Sequence, residues 1–241
     1  MQRKLVLSDR QSKLRAWLVH GYTALGLPCA FLALLAASEG RARDVFLILI
    51  LAIAIDGTDG PMARRFDVKR WTPHFDGRKL DDIIDYMTYT MVPVYFIWHF
   101  NLVSGQFAIV LLVALICSAY GFCSEGAKTA DKYFTGFPSY WNAVALFLYV
   151  LQMPAIANAA VVLFLALLTL TPIKFPSSQA VKKTERVVIL IAAMLTFVLI
   201  INLDEPPPPL LIYATLAYPL YHLISSIAMF VHEELREEKF S

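Results

Sequence analysis

Eight apolar stretches, most of them about 20 residues long, alternate with short polar turns along this chain. They run at roughly 17–37, 44–63, 80–101, 105–123, 140–155, 157–173, 186–203 and 209–231. About 20 residues rising 1.5 Å each cross the hydrocarbon of a bilayer. The pattern therefore predicts an all-α, polytopic integral membrane protein with about eight transmembrane helices. The fifth stretch is the shortest, and it closes in a tight turn at Gln152-Met153-Pro154. Ahead of the first stretch, residues 1–16 mix Leu5, Leu7 and Leu14 with Arg3, Lys4, Arg10, Lys13 and Arg15. That mixture suits a juxtamembrane amphipathic helix on an anionic membrane surface, or else a basic tail. The expected organisation is this N-terminal segment at 1–16, one transmembrane domain at 17–232, and an acidic tail at 233–241 carrying Glu233, Glu234, Glu237 and Glu238.

Composition agrees with the periodicity. The chain of 241 residues is 58% hydrophobic with a mean hydropathy of +0.59, against about half apolar for a soluble domain. A net charge of +2 gives no basic face for nucleic acid. Charge placement orients the helices: of the 21 Lys and Arg, only Arg41 and Arg43 fall on the side of the first interhelical loop. The positive-inside rule then puts both termini and the second loop in the cytoplasm. Cys29, Cys117 and Cys123 show no metal-binding spacing and read as small apolar residues.

Against this apolar background stand four aspartates. Asp56 and Asp59 lie at i,i+3 late in the second stretch, and Asp81 and Asp85 lie at i,i+4 early in the third. Each pair shares one helix face, and antiparallel neighbours joined by a cytoplasmic loop would bring the pairs to one depth. Carboxylates beside hydrocarbon are costly unless they are paired or bind cations. Four hard oxygen donors suit Mg²⁺ or Mn²⁺, with room for two ions, and could clamp a pyrophosphate during phosphoryl transfer. Gly60, Ala63 and Gly77 have little or no side-chain bulk, and Arg64 could grip a phosphate. Plainer readings exist. Asp81 and Asp82 could be helix-start acids, Gly57 and Gly60 could break the helix, and a cation transporter would also want buried carboxylates.

At these residues the chain resembles the CDP-alcohol phosphotransferase family, whose signature is D-x2-D-G-x2-A-R-x8-G-x3-D-x3-D. Asp56, Asp59, Gly60, Ala63, Arg64, Gly77, Asp81 and Asp85 match, with twelve residues rather than eight between Arg64 and Gly77. The longer spacer, the chain length and the segment Phe134-Thr-Gly-Phe-Pro-Ser-Tyr-Trp-Asn142 resemble the bacterial phosphatidylcholine synthase branch. The resemblance implies CDP-diacylglycerol as donor, choline as acceptor, CMP as leaving group, Mn²⁺ or Mg²⁺ as cofactor, and a homodimer in the bacterial inner membrane. It implies metal ligation by Asp56, Asp59, Asp81 and Asp85, with Asp85 as catalytic base. Asp59, Gly60, Ala63, Arg64, Gly77 and Asp81 would line the nucleotide site. Asp82 is out of helical phase and stays outside it.

Choline is a quaternary ammonium, which proteins hold with aromatic faces and carboxylates. Glu125, Tyr140 and Trp141 are the leading candidates, with Tyr86 and Tyr89 close behind Asp85. Tyr and Trp at helix ends also form an ordinary interfacial belt. Glycerol 3-phosphate, serine or inositol phosphate are alternative acceptors, and for the phosphorylated ones Arg186 would matter most. A divalent-cation transporter is the alternative of another class.

Overall fold

The computed structural model describes residues 8–127, 129, 133–176 and 183–237. Residues 1–7 and 238–241, and with them parts of the expected N-terminal segment and acidic tail, lie outside the described residues, as do Lys128, Lys132 and Lys182.

Helix α1 (Asp9–Ala24) begins where local chemistry starts a helix. Ser8 accepts from the Gln11 amide and Gln11 reciprocates on the Ser8 amide, forming a capping box. A single residue, Leu25, separates α1 from α2 (Gly26–Ser38). Residues 9–16 thus belong to the same helical rod as the first apolar stretch. Next come α3 (Ala42–Arg65), the short α4 (Val68–Trp71) and α5 (Gly77–Asp85). A π-helical turn (Tyr86–Met91) leads into α6 (Val92–His99). A 3₁₀ turn (Gly105–Ala108) precedes α7 (Ile109–Cys123). The chain continues through α8 (Trp141–Leu151), α9 (Ala155–Leu168), α10 (Lys183–Ile201) and α11 (Pro209–Glu237).

Helix thus occupies part of every predicted apolar stretch. Among the described residues, four helical rods are long and apolar enough to cross a membrane: Asp9–Ser38, Ala42–Arg65, Gly105–Cys123 and Pro209–His232. Trp141–Leu151 and Ala155–Leu168 are apolar but shorter. Their outer faces are apolar too. On α7, Leu111, Ala114 and Cys117 are buried while Ile109, Leu112 and Ile116 are exposed. Apolar surface on both sides of a helix fits lipid outside and protein inside. This is a helical membrane protein.

Two departures from the expected regularity have physical causes. The third stretch is not one uniform helix. Pro93 lacks an N–H, and its ring would clash with the carbonyl four residues back, at Tyr89. The widened turn immediately before α6 accommodates this. The second departure is a pair of three-residue strands, β1 (Tyr133–Thr135) and β2 (Lys174–Pro176), antiparallel with Phe134 opposite Phe175. Such strands are too short to leave a period-2 signal in sequence.

Packing relies on small residues. Helix α2 buries Gly26, Cys29, Ala30, Ala33, Ala36 and Ala37 against its neighbours, so backbones approach closely. Trp141 and Phe96 anchor the core, fully buried. Gly136 seals the loop end: its φ is +77°, and a Cβ there would stand 2.3 Å from the Thr169 carbonyl oxygen. Gly136→Ala should therefore cost roughly 1–3 kcal/mol and lower the melting temperature of the purified protein; an unchanged melting temperature would show that this loop yields.

Candidate active site

Three of the four aspartates converge. Asp56 on α3, and Asp81 and Asp85 on α5, each offer an oxygen, and the three oxygens lie within 4.8 Å of one another. Two ligands on opposite sides of a Mg²⁺ ion stand about 4.2 Å apart, so the donor set fits a divalent cation. Asp85 Oδ1 is buried with no hydrogen-bond partner among the described residues. Such an oxygen normally has one, and a cation would satisfy it. Asp59 is buried and lines the same cleft but is not in that cluster. Asp82 does not line the cleft.

The local folding explains the placement. Helix α3 runs unbroken through Gly57, Gly60 and Pro61, so the glycines do not mark a break. Pro61 would crowd the carbonyl of residue 57, where a glycine stands. Helix α5 is capped by Asp76, whose carboxylate accepts from the Lys79 amide at 3.2 Å. Asp81 and Asp85 therefore sit beyond the helix start and are not its caps. Thr58, between the two α3 aspartates, bonds back to the Ala54 carbonyl and meets the Tyr22 hydroxyl at 2.8 Å, tying α1 to the acidic turn.

The expected small residues have diverse neighbours. Arg64 folds back over Gly60, its Nη1 standing 3.4 Å from where a Cβ would be. Ala63 packs beside Ala16, Val19 and Val68, toward α1. Gly77 faces His20: a Cβ would meet its Cε1 at 2.7 Å. Thr72 donates to the Val68 carbonyl and accepts from His20 Nε2 at 2.9 Å, which assigns the proton to Nε2. His20 also packs at a tilt against Phe75, with ring centroids 4.4 Å apart. The glycine thus lets the start of α5 close on α1.

Gly26, Thr23 and Thr88 also line the cleft and were not anticipated. A Cβ on Gly26 would lie 2.4 Å from Ile84 Cγ2. The absence of a side chain there seats α5, with both its aspartates, against α2. The run of small residues from Gly26 to Ala37 was the available signal.

The chain is similar to proteins named phosphatidylcholine synthase. One from Pseudomonas aeruginosa is 44% identical over 165 residues, 68% of this chain and 69% of that protein. One from Rhizobium johnstonii is 34% identical over 224 residues, covering 91% and 92%. One from Rhizobium meliloti is 34% identical over 201 residues, covering 81% and 83%. The chain belongs to the phosphatidylcholine synthase family. No family model matches it. The family assignment agrees with the aspartate signature, whose longer spacer pointed to this branch.

Aromatic residues stand beside the aspartate cluster. Tyr89 donates to Asp56 Oδ2 at 2.9 Å and packs 6.1 Å from the Tyr140 ring. Tyr140 is 41% exposed, and Phe134 meets its ring edge-on. Tyr86 points elsewhere, donating to the Leu115 carbonyl of α7. Trp141, expected to touch choline, is wholly buried, and its indole N–H donates to Ser118 Oγ at 2.7 Å. Glu125 is exposed just past α7, and Arg186 is exposed near the start of α10.

Gly26→Ala should push α5 off α2 and lower metal-stimulated activity by at least tenfold, and Ile84→Ala in the same chain should restore part of it. Full activity in Gly26→Ala alone would show that the close approach is dispensable.

Proposed function

We propose that this chain transfers the phosphatidyl group of CDP-diacylglycerol to choline, giving phosphatidylcholine and CMP. The observation that carries the reading is the convergence of Asp56, Asp81 and Asp85 at signature positions, in a chain of this family. These residues would hold Mn²⁺ or Mg²⁺, with Asp59 as a further ligand from the same cleft if two ions bind. A bound divalent cation supplies charge neutralisation for the pyrophosphate and its developing leaving group.

The protein's own part is placement. Asp85 takes the proton from the choline hydroxyl while that oxygen bonds to the phosphatidyl phosphorus and the bond to the CMP oxygen breaks. Its role rests on position within the cluster. Arg64, folded over Gly60, can turn to a nucleotide phosphate. Asp59 and Asp81 face the same cleft, and Ala63 and Gly77 keep the surrounding helices close. Tyr140 and Tyr89 offer aromatic faces to the ammonium beside the carboxylates, and Glu125 offers a countercharge.

The wider reading is a multi-pass protein of the bacterial inner membrane with about eight spans and both termini cytoplasmic. The helix in part of each apolar stretch and the segregation of Lys and Arg support it. Residues 1–16 would lie at the headgroups, which the exposed Arg10, Lys13, Leu14 and Arg15 of α1 favour. Residues 17–232 would be the transferase domain and 233–241 a polar tail, while α11 itself reaches Glu237. A homodimer is proposed from the family resemblance.

The test is CMP release from CDP-diacylglycerol by the purified protein with Mn²⁺ or Mg²⁺, offering each acceptor separately. Choline alone should support release. Release only with glycerol 3-phosphate, serine or inositol phosphate would move the acceptor assignment, toward Arg186 for the phosphorylated ones. No release with any acceptor would favour the transporter. Asp85→Asn should lower turnover at least a hundredfold with CDP-diacylglycerol still bound, and near-normal turnover would remove it as base. Tyr140→Ala should raise the choline KM severalfold, and an unchanged KM would return Tyr140 to the interfacial belt.

A further inference from the structure

We propose that Tyr89 is a positioning residue that fixes the Asp56 carboxylate for its cation; this rests on the reading of Asp56 as a metal ligand. The two residues are far apart in sequence and come from different elements. Asp56 is on α3, and Tyr89 is on the π-helical turn that follows α5. The phenol hydroxyl donates to Asp56 Oδ2 at 2.9 Å in a part-buried setting. A hydrogen bond to an ionised acceptor is about twice as strong as a neutral one. It also removes rotational freedom from a side chain that must present its oxygens in one orientation. A carboxylate has about four lone-pair positions, so one taken by tyrosine does not saturate it toward a cation. This is how ligands to metals are commonly oriented.

The hydroxyl is itself well placed to do this. Tyr86, three residues earlier on the same turn, donates to the Leu115 carbonyl of α7 at 3.0 Å. The Tyr89 ring rests against Tyr140. The turn is thus held from α7 on one side and reaches α3 on the other. Its widened geometry, ahead of Pro93, belongs to the class of helix irregularity that often accompanies function. Packing alone would be served by a phenylalanine at position 89; only the hydroxyl addresses Asp56.

The test is Mn²⁺ binding by the full-length purified protein without substrate, read as free Mn²⁺ by electron paramagnetic resonance. Melting temperatures without metal are measured alongside. The expected result is that Tyr89→Phe weakens Mn²⁺ binding about tenfold with its metal-free melting temperature within about 2 °C of the parent. Tyr86→Phe, which loses the α7 anchor at the same turn, should bind Mn²⁺ as the parent does. Asp56→Asn should lose most of the binding. If Asp56→Asn loses binding while Tyr89→Phe keeps it, the positioning role is wrong and the ligand reading stands. If Asp56→Asn binds Mn²⁺ normally, both fail. Weaker binding in Tyr89→Phe that comes with a fall of several degrees in melting temperature would assign the bond to stability and overturn the proposal.

Discussion

Mutual repulsion of clustered carboxylates is the constraint around which this molecule is organised. Two unit charges about 4 Å apart repel by about 4 kcal/mol at the effective dielectric of a protein surface. Asp56, Asp81 and Asp85 bring three carboxylates within that range. Such a cluster persists only where the fold enforces it and a cation or a bound proton relieves it. The enforcement is visible. Asp76 starts α5 in the right place, Gly26 and Gly77 let α5 close on α2 and α1, and Tyr22 and Tyr89 hold the α3 residues Thr58 and Asp56 by hydroxyl contacts.

That arrangement divides labour between backbone and side chain. Helices α3 and α5 provide the depth and the face, since i,i+3 and i,i+4 spacings put each acidic pair on one side. Small residues provide the distance. A single methyl at position 26 would meet Ile84 at 2.4 Å, so the approach of α5, with Asp81 and Asp85, to α2 depends on an atom that is not there. The aromatic side chains come third. Tyr89 touches the cluster and Tyr140 touches Tyr89, so a cationic acceptor and the metal ligands would share one wall.

Much of this was legible in sequence, because hydrophobic length and charge spacing are local properties. The eight stretches and the four-aspartate register could be read from the residues alone, and the family followed from the register together with the long spacer. What was not legible depends on contacts between distant residues. Trp141 read as a choline contact or an interfacial aromatic, and the bond that its indole N–H makes in the core to Ser118, 23 residues away, left no mark in the sequence. Gly77 read as room for a nucleotide, while its missing side chain is also what admits His20 of α1. Gly26 drew no notice since its partner, Ile84, lies on another helix. The π-helical turn needed Pro93 and the carbonyl of Tyr89 to be weighed together, and the strands at Tyr133–Thr135 and Lys174–Pro176 are too short to announce themselves. Asp59, assigned with the other three by spacing, lines the cleft yet stands outside the tight cluster, a distinction that helical phase cannot resolve.

The proposed chemistry needs a metal ion between α3 and α5, and the most direct measurement is an anomalous difference map at the manganese edge from crystals of the protein soaked in Mn²⁺. The predicted result is a peak within coordination distance of Asp56, Asp81 and Asp85, which disappears in Asp56→Asn. A map with no peak at that position, or with its main peak at other residues, would contradict the account.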